Sequence, residues 1–543
     1  MRRVVGLLIA AAFALAPAAA QAATNATYFN DASLPAADPY VLHDPSSGYY
    51  YAYSTDGADA GSYFGIYRSA DLVTWEHVEG GALPVNDPKQ WGNDWFWAPE
   101  VYRNPKTGLY FLFYAARSDA NKKAWFGYAD FEEPCKVGVA VSRSPEGPFH
   151  NIAARPIDYN PYDPNYHDVN LLMGPDQRKP PATLEEGEKA PLGTYIPYID
   201  PDVYFAEDGA QYLYFSRNAY RNWNWDADLG KYVEESNILA VPLTSAWWND
   251  PTGRTMPSIA PAYRGANASK GGPAGPRRDG WQQILSYQQD KQAWENAHVN
   301  DYELSGGQKK NRRWEEGSTT FKLGGTYYLT YSANNWESPS YGVGYATAPS
   351  PLGPFKKYSG NPILSQDPAI GMYSTGHGSL AFSPYGGEMY YVHHGRPTTD
   401  AGQRRLYTER MTAAGGVLDI DQSTSDRPVP SGVAPYAMTA SASSLRLRAG
   451  TTARLTWRVT SAAGASLALA NPLNRVSPRV ANSRVAELRP DADGAGGTVV
   501  AKAAGKTTLT LAYQRRHAAG DYFDVFDDTW PVSQTVDIKV SGG

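Results

Sequence analysis

Five short aromatic runs, each placed just after a turn signal, constrain this chain more than any other feature. They are YYYAY (49–53), YFLFY (110–114), YLYFS (212–216), YYLTY (327–331) and MYYVH (389–393). Tyr, Phe and β-branched residues suit a half-buried pleated surface, so each run reads as a strand. A second motif recurs beside them. SPEGPF (144–149) returns as SPLGPF (350–355), each after a short apolar strand, VGVAVS (137–142) and YGVGYAT (341–347), with YRSADLVTW (67–75) as a looser relative. Each unit therefore holds an apolar strand, a Gly- or Asp-containing turn, an aromatic strand and a further strand ending in a Pro/Gly turn. Three or four antiparallel strands repeated five times predict a five-bladed β-propeller. A β-sandwich with convergent turns is the alternative. Composition points the same way: aromatics make up 13% against 19% charged residues, with 51 Gly and 41 Pro, which favours an all-β protein over a helical one.

The ends of the chain read differently. Arg2 and Arg3 precede an apolar run over 4–15, and Ala20-Gln21-Ala22 supplies the small residues of a cleavage site. That order predicts a signal peptide over 1–22 and a secreted or periplasmic protein. No later segment is apolar enough to predict membrane insertion. Residues 23–430 form the predicted propeller. A Pro/Gly-rich linker at 428–435 leads into 431–543, where Ala, Thr and Val replace the aromatics in the alternating stretches 445–459 and 498–513. This last part holds 13 Lys/Arg against 8 Asp/Glu and predicts an accessory immunoglobulin-like β-sandwich. Its aromatic cluster, Tyr522, Phe526 and Trp530, is a candidate core, domain interface or sugar platform. Two stretches, 156–194 and 246–313, show little alternation and predict long rim loops, with a short helix near 288–296.

Two function classes fall away early. A net charge of −6 gives no electrostatic footprint for nucleic acid. The single cysteine, Cys135, excludes an intramolecular disulfide, a zinc–thiolate cluster and a CxxC redox pair.

An ionisable residue opens each aromatic unit. Asp38 stands 12 residues before Tyr50, Glu100 10 before Tyr110, Asp200 12 before Tyr212, Glu316 11 before Tyr327 and His377 12 before Met389. Equivalent positions of successive blades face one axis, so these five side chains should converge. Three carboxylates in a confined space perturb one another, which acid/base catalysis exploits. Pro39 and Pro201 stiffen the backbone after Asp38 and Asp200. Gly317 beside Glu316 leaves room for another molecule to approach. Trp91, Trp95, Phe96, Trp97 and Trp336 are candidates for stacking on sugar rings, and Arg396 for a sugar hydroxyl.

These motifs resemble glycoside hydrolase family 43, the propeller family of arabinofuranosidases, xylosidases and arabinanases. The likeness spans about 37–410 and rests on ADP (37–39), WAPE (97–100), YIDPDVYF (198–205), EGS (316–318) and GHGS (376–379). It implies Asp38 as general base, Asp200 as pKa modulator and Glu316 as general acid. Ser318 stands where many members carry proline. His377 would match the family's axial histidine, which in some members helps to hold a calcium ion; no cofactor is otherwise required. Glu315 and Asp202 compete with their neighbours for these roles. The resemblance implies an inverting hydrolysis of an oligo- or polysaccharide. An exo-acting α-L-arabinofuranosidase is the first expectation, β-xylosidase and endo-arabinanase the alternatives. A non-catalytic carbohydrate-binding propeller is the alternative of another class.

Overall fold

The computed structural model describes residues 34–542 except 71, 73, 127–128, 158–176, 191–196, 219, 261–281, 302–309, 369–370, 383–388, 399–402, 423–435, 462–465, 471–473, 517–521, 525 and 528–529. The leader and the linker 428–435 lie outside the described residues. So do the side chains of Tyr522, Phe526 and Trp530.

The chain is all-β. Five four-stranded antiparallel sheets account for the repeat, and each aromatic run is the second strand of its sheet: Tyr49–Ser54, Tyr110–Arg117, Gln211–Arg217, Thr326–Ala333 and Met389–Arg396. A second strand has partners on both edges and neighbouring sheets on both faces. Its side chains are therefore buried almost without alternation, as in Tyr110–Arg117, where only Arg117 is partly exposed. The repeated SPxGPF turns join the third and fourth strands of the second and fourth sheets. Each receives a tyrosine hydroxyl from the sheet before it. Tyr53 donates to the Pro145 carbonyl at 2.7 Å, and Tyr214 donates to that of Pro351.

The first strands of the sheets are Tyr40–Asp44, Asp94–Arg103, Tyr198–Phe205, Glu315–Leu323 and Tyr373–Phe382. Each contacts the next in chain order, and the last contacts the first. Side chains stitch these neighbours together. Val203 N–H donates to Tyr102 Oη (2.6 Å), Thr320 Oγ1 to Asp202 (2.7 Å), Thr319 Oγ1 to the Gly378 carbonyl (2.9 Å), and Val41 N–H to Ser379 Oγ (2.8 Å). The chain's start is tied to the fifth sheet by backbone hydrogen bonds from Ala36 to Arg404 and from Leu406 to Leu34, both 3.1 Å.

The region expected to be rim loops carries strands instead. Gln282–Leu285 completes the third sheet. Trp223–Asp226, Lys231–Glu235, Val299–Asp301 and Lys310–Arg313 make an additional sheet, and Ala293–Asn296 is a 3-10 turn. Polar side chains hold that sheet in place of an apolar face. Arg313 is buried between Asp226 (2.5 Å) and Glu235 (2.9 Å), and Lys231 spans Asn300 and Asn311 at 2.7 and 2.9 Å. A sheet built on charge pairing leaves no period-two hydrophobic pattern to read.

Two further sheets follow over 436–541. One orders Tyr436–Ala440, Thr452–Ser461, Gly496–Ala501 and Ala486–Pro490; the other Ser444–Arg448, Ser533–Ser541, Gly505–Arg516 and Asn474–Val480. Leu455, Trp457 and Val499 of the first share a core with Leu509, Leu511, Val536 and Ile538 of the second.

Candidate active site

Each of the first strands is broken at one place by a residue with positive φ: Asp38 (51°), Ala98 (48°), Asp200 (52°), Gly317 (58°) and His377 (43°). In the last four the strand register slips around that residue. A bulge of this kind re-aims a side chain out of the pleat. It costs an L-residue of order 1–3 kcal/mol unless its surroundings enforce it. The five true equivalents are therefore Asp38, Ala98, Asp200, Gly317 and His377.

Three of the five expected residues, Asp38, Asp200 and His377, hold the expected position. Glu316 lies one residue before it and Glu100 two residues after it. The offset decides where each points. A pocket of about 390 Å³ is lined by Asp38, Asp200, Glu316 and His377, together with Trp97, Glu133, Asn218, Tyr220, His298, Arg312, Trp314, Trp336 and Arg404 among others. Glu100 is not in its wall. It lies deeper, in a narrow cleft it shares with Tyr40, Ser318 and the inner sides of Asp38, Asp200 and His377. There it accepts from Tyr102 Oη, and burial plus the Asp202 carboxyl hold it well above the usual carboxylate range. Direct contact between Glu100 and substrate is thus corrected.

Asp38 is the most constrained group. Arg404 reaches both its oxygens at 3.0 and 3.3 Å, Thr55 Oγ1 donates at 2.8 Å, and His377 Nδ1 lies 3.2 Å away. Burial would raise its pKa, but Arg404 and His377 outweigh it and hold the carboxyl well below the ordinary value. Its own N–H donates to His394 Nδ1 at 3.1 Å. That nitrogen is therefore an acceptor, and burial drives the His394 pKa down to about 3. His394 is a neutral prop for the bulge, not an ionic partner of Asp38, although its ring lies 3.3 Å from the carboxylate.

Glu316 has the opposite environment. Burial first, then the neighbouring Asp200, push its pKa up to about 8. Tyr341 Oη donates to it at 2.9 Å. Asp200 is raised by burial, with His377 pulling it back, and it accepts the Gly317 N–H at 3.2 Å. His377 loses stability as a cation by burial, but Asp38 and Asp200 more than compensate, taking it to about 9. It is an imidazolium at neutral pH.

The competing neighbours separate cleanly. Glu315 points away from the pocket into a buried pairing with Lys357 at 2.6 Å. Asp202 faces the deep cleft and Thr320. Gly317 does not make room for a ligand: a Cβ there would stand 2.7 Å from the His377 ring. Gly376 likewise admits the Tyr341 ring, 2.2 Å from a Cβ.

Trp97 and Trp336 line the pocket as expected. Trp95 does not; it stacks behind Trp97 with centroids 5.1 Å apart. Trp91 and Phe96 are core residues. Arg396 is corrected too: it is buried and donates to the Glu337 carbonyl at 2.9 Å, fixing the loop that carries Trp336. The arginine at the site is Arg404, whose guanidinium also lies 4.6 Å over the Trp336 ring. Nothing in its local sequence marks it. Glu133 and Asn218 were equally silent.

Calcium ligation by His377 does not fit. Its Nδ1 faces Asp38 and its raised pKa keeps both ring nitrogens protonated, whereas a metal needs a free lone pair. Among the described residues no three His, Cys, Asp or Glu side chains converge on a cation position.

A low-pKa carboxylate facing a high-pKa carboxyl across a sugar-sized pocket defines an acid/base hydrolase. Comparison with known proteins makes the class specific. The model of glycosyl hydrolases family 43 matches 33–178 and 284–417. The β-D-galactofuranosidase xynD of Aspergillus niger is 39% identical over 384 residues, covering 68% of this chain and 79% of that protein. The xylosidase/arabinosidase 43A of Humicola insolens is 26% identical over 324 residues, covering 58% and 70%. A crystal structure of a thermostable family-43 glycoside hydrolase superposes with a TM-score of 0.51 at 27% identity, covering 75% of this chain and 99% of that one. The chain belongs to glycoside hydrolase family 43 and is an O-glycosyl hydrolase, so the non-catalytic reading is withdrawn. The family match omits 179–283, which holds Asp200 and half of the additional sheet.

Proposed function

We propose that this protein is a secreted, inverting, exo-acting glycosidase that releases a terminal furanose or pentose, first an α-L-arabinofuranoside, from plant polysaccharide side chains. The opposed protonation of Asp38 and Glu316 carries the reading. Glu316 gives its proton to the leaving glycosidic oxygen. Asp38 takes a proton from water as that water's oxygen bonds to the anomeric carbon from the opposite face. Asp200 keeps Glu316 protonated, and Arg404 and His377 keep Asp38 ionised. No cofactor enters this scheme. The order of contacts among the first strands supports a five-bladed propeller over 23–430, and the shared core over 436–541 supports an immunoglobulin-like sandwich.

The names of the two relatives favour terminal furanose or pentose release over cleavage within an arabinan chain. They also add β-D-galactofuranoside and β-xyloside to the substrates worth testing. Nitrophenyl α-L-arabinofuranoside, β-D-galactofuranoside and β-D-xylopyranoside, assayed side by side, rank these. Cleavage of linear arabinan alone would overturn the exo reading. Proton NMR of the first-formed sugar, if it showed retained anomeric configuration, would overturn inversion.

A further inference from the structure

Glu133 is a fourth carboxyl in the pocket wall, and the catalytic scheme gives it no part. It sits on a braced loop just before the strand Cys135–Ser142. Arg221 pairs with the adjacent Glu132 at 2.8 Å, and the Cys135 N–H donates to the Glu133 carbonyl at 2.8 Å. Its side chain is 6% exposed, and no ion pair to it occurs among the described residues. Beside it in the same wall stands Asn218, also 6% exposed and hydrogen-bonded to the Glu133 carboxyl. The Asn218 Oδ1 is buried and has no hydrogen-bond partner among the described residues. A buried amide oxygen left without a partner costs about 1–3 kcal/mol. Polar atoms held this way in a pocket wall are matched by what the pocket takes.

The chemistry of the pair fits a sugar. Burial first, then Glu316 and Asp200, raise Glu133 to about 8, so at neutral pH it carries a proton it can donate. Asn218 Oδ1 can only accept. A donor and an acceptor side by side complement two neighbouring hydroxyls, of which one accepts and the other donates. Both face the same space as Glu316 and Asp200, which places them against the ring whose bond breaks.

We infer that Glu133 and Asn218 together read two adjacent hydroxyls of the sugar seated against Glu316, and so set which glycone the enzyme accepts. This rests on the assignment of the pocket as the reaction site. The test compares wild type, Glu133→Ala, Glu133→Gln and Asn218→Ala on the best nitrophenyl glycoside and on its monodeoxy analogues. Calorimetric binding of the free sugar and of its deoxy forms runs alongside. The alanine variants should lower kcat/KM about tenfold or more, the scale of one lost hydrogen bond, through KM at least as much as kcat. Wild type should discriminate against two particular deoxy analogues. Each alanine variant should lose discrimination at one of them, while Glu133→Gln, which can still donate, should retain it. Equal losses by each variant on the parent and on every deoxy analogue would overturn the inference, as would unchanged deoxy discrimination in binding. If Asp38→Asn and Glu316→Gln remain active, the catalytic scheme fails instead, and the calorimetric comparison still decides the pair.

Discussion

The acid and the base in this pocket carry the same functional group, so their roles rest wholly on what surrounds each. Asp38 has a guanidinium at 3.0 Å and an imidazole nitrogen at 3.2 Å. Glu316 has a tyrosine hydroxyl and a carboxyl neighbour. Removing either role should cost roughly 10²–10⁴-fold, so Asp38→Asn and Glu316→Gln should each retain under about a hundredth of wild-type kcat/KM, measured on an aryl glycoside. Near-normal turnover by either variant would refute the role given to that residue. The pH profile carries the sign. Glu316 must be protonated, so kcat/KM should fall as pH rises through about 8. Asp38 must be ionised and its pKa is depressed, so the acid limb should lie below the ordinary carboxylate range. Asp200→Asn removes the charge that raises Glu316 and should move the alkaline limb to lower pH. An unmoved limb would show that Asp200 orients without tuning. At this scale the acids were legible because each follows a strand signal at a fixed interval. Arg404, Tyr341 and Glu133 were not, because they reach the pocket through tertiary contacts from segments with no pattern of their own.

At the scale of the element, the strand bulge does the positioning. Counting back from each aromatic run gave 12 residues for Asp38, Asp200 and His377 but 10 and 11 for Glu100 and Glu316. The positive φ falls at the three spacings of 12, and also at Ala98, 12 residues before Tyr110. The two short spacings were thus the sign that Glu100 sits a level deeper and Glu316 on the other side of its bulge. Gly317 makes the second offset possible. Its φ of 58° suits a residue without a side chain, and a Cβ there would press on His377 at 2.7 Å. Gly317→Ala should therefore destabilise the fold by about 1–3 kcal/mol and displace His377 from Asp38. Thermal melting would register the first effect and loss of kcat the second. A variant with wild-type melting and turnover would show that the bulge relaxes without harm. The additional sheet was illegible for a different reason: buried Arg313 with Asp226 and Glu235 replaces the apolar face by which strands are recognised.

For the whole molecule, the pocket wall draws on residues from Asp38 to Arg404 and on none of the described residues beyond it. The segment 431–543 meets the rest of the chain where Phe526–Asp527 lies against the strand Arg405–Ala414 of the fifth sheet. That strand follows Arg404 directly, and Arg404 is the principal counter-charge of Asp38. An accessory domain can thus steady the site from outside without contributing to it. Its alternating strands and small aliphatic residues made it legible as a separate β unit, whereas nothing in its sequence specified the face by which it docks. Truncation after Ser431 removes it and tests the arrangement. Turnover of a small aryl glycoside should persist within a few-fold, because every group assigned to acid, base and glycone recognition remains. The melting temperature should fall, since the outer edge of the fifth sheet loses a packed neighbour. Affinity for polymeric substrate should fall as well if the basic surface of this segment holds polysaccharide, and gel retardation in arabinan would measure that separately. A truncated protein that melts cooperatively yet hydrolyses no small glycoside would show that this domain completes the pocket, with Tyr522, Phe526 or Trp530 as its contribution.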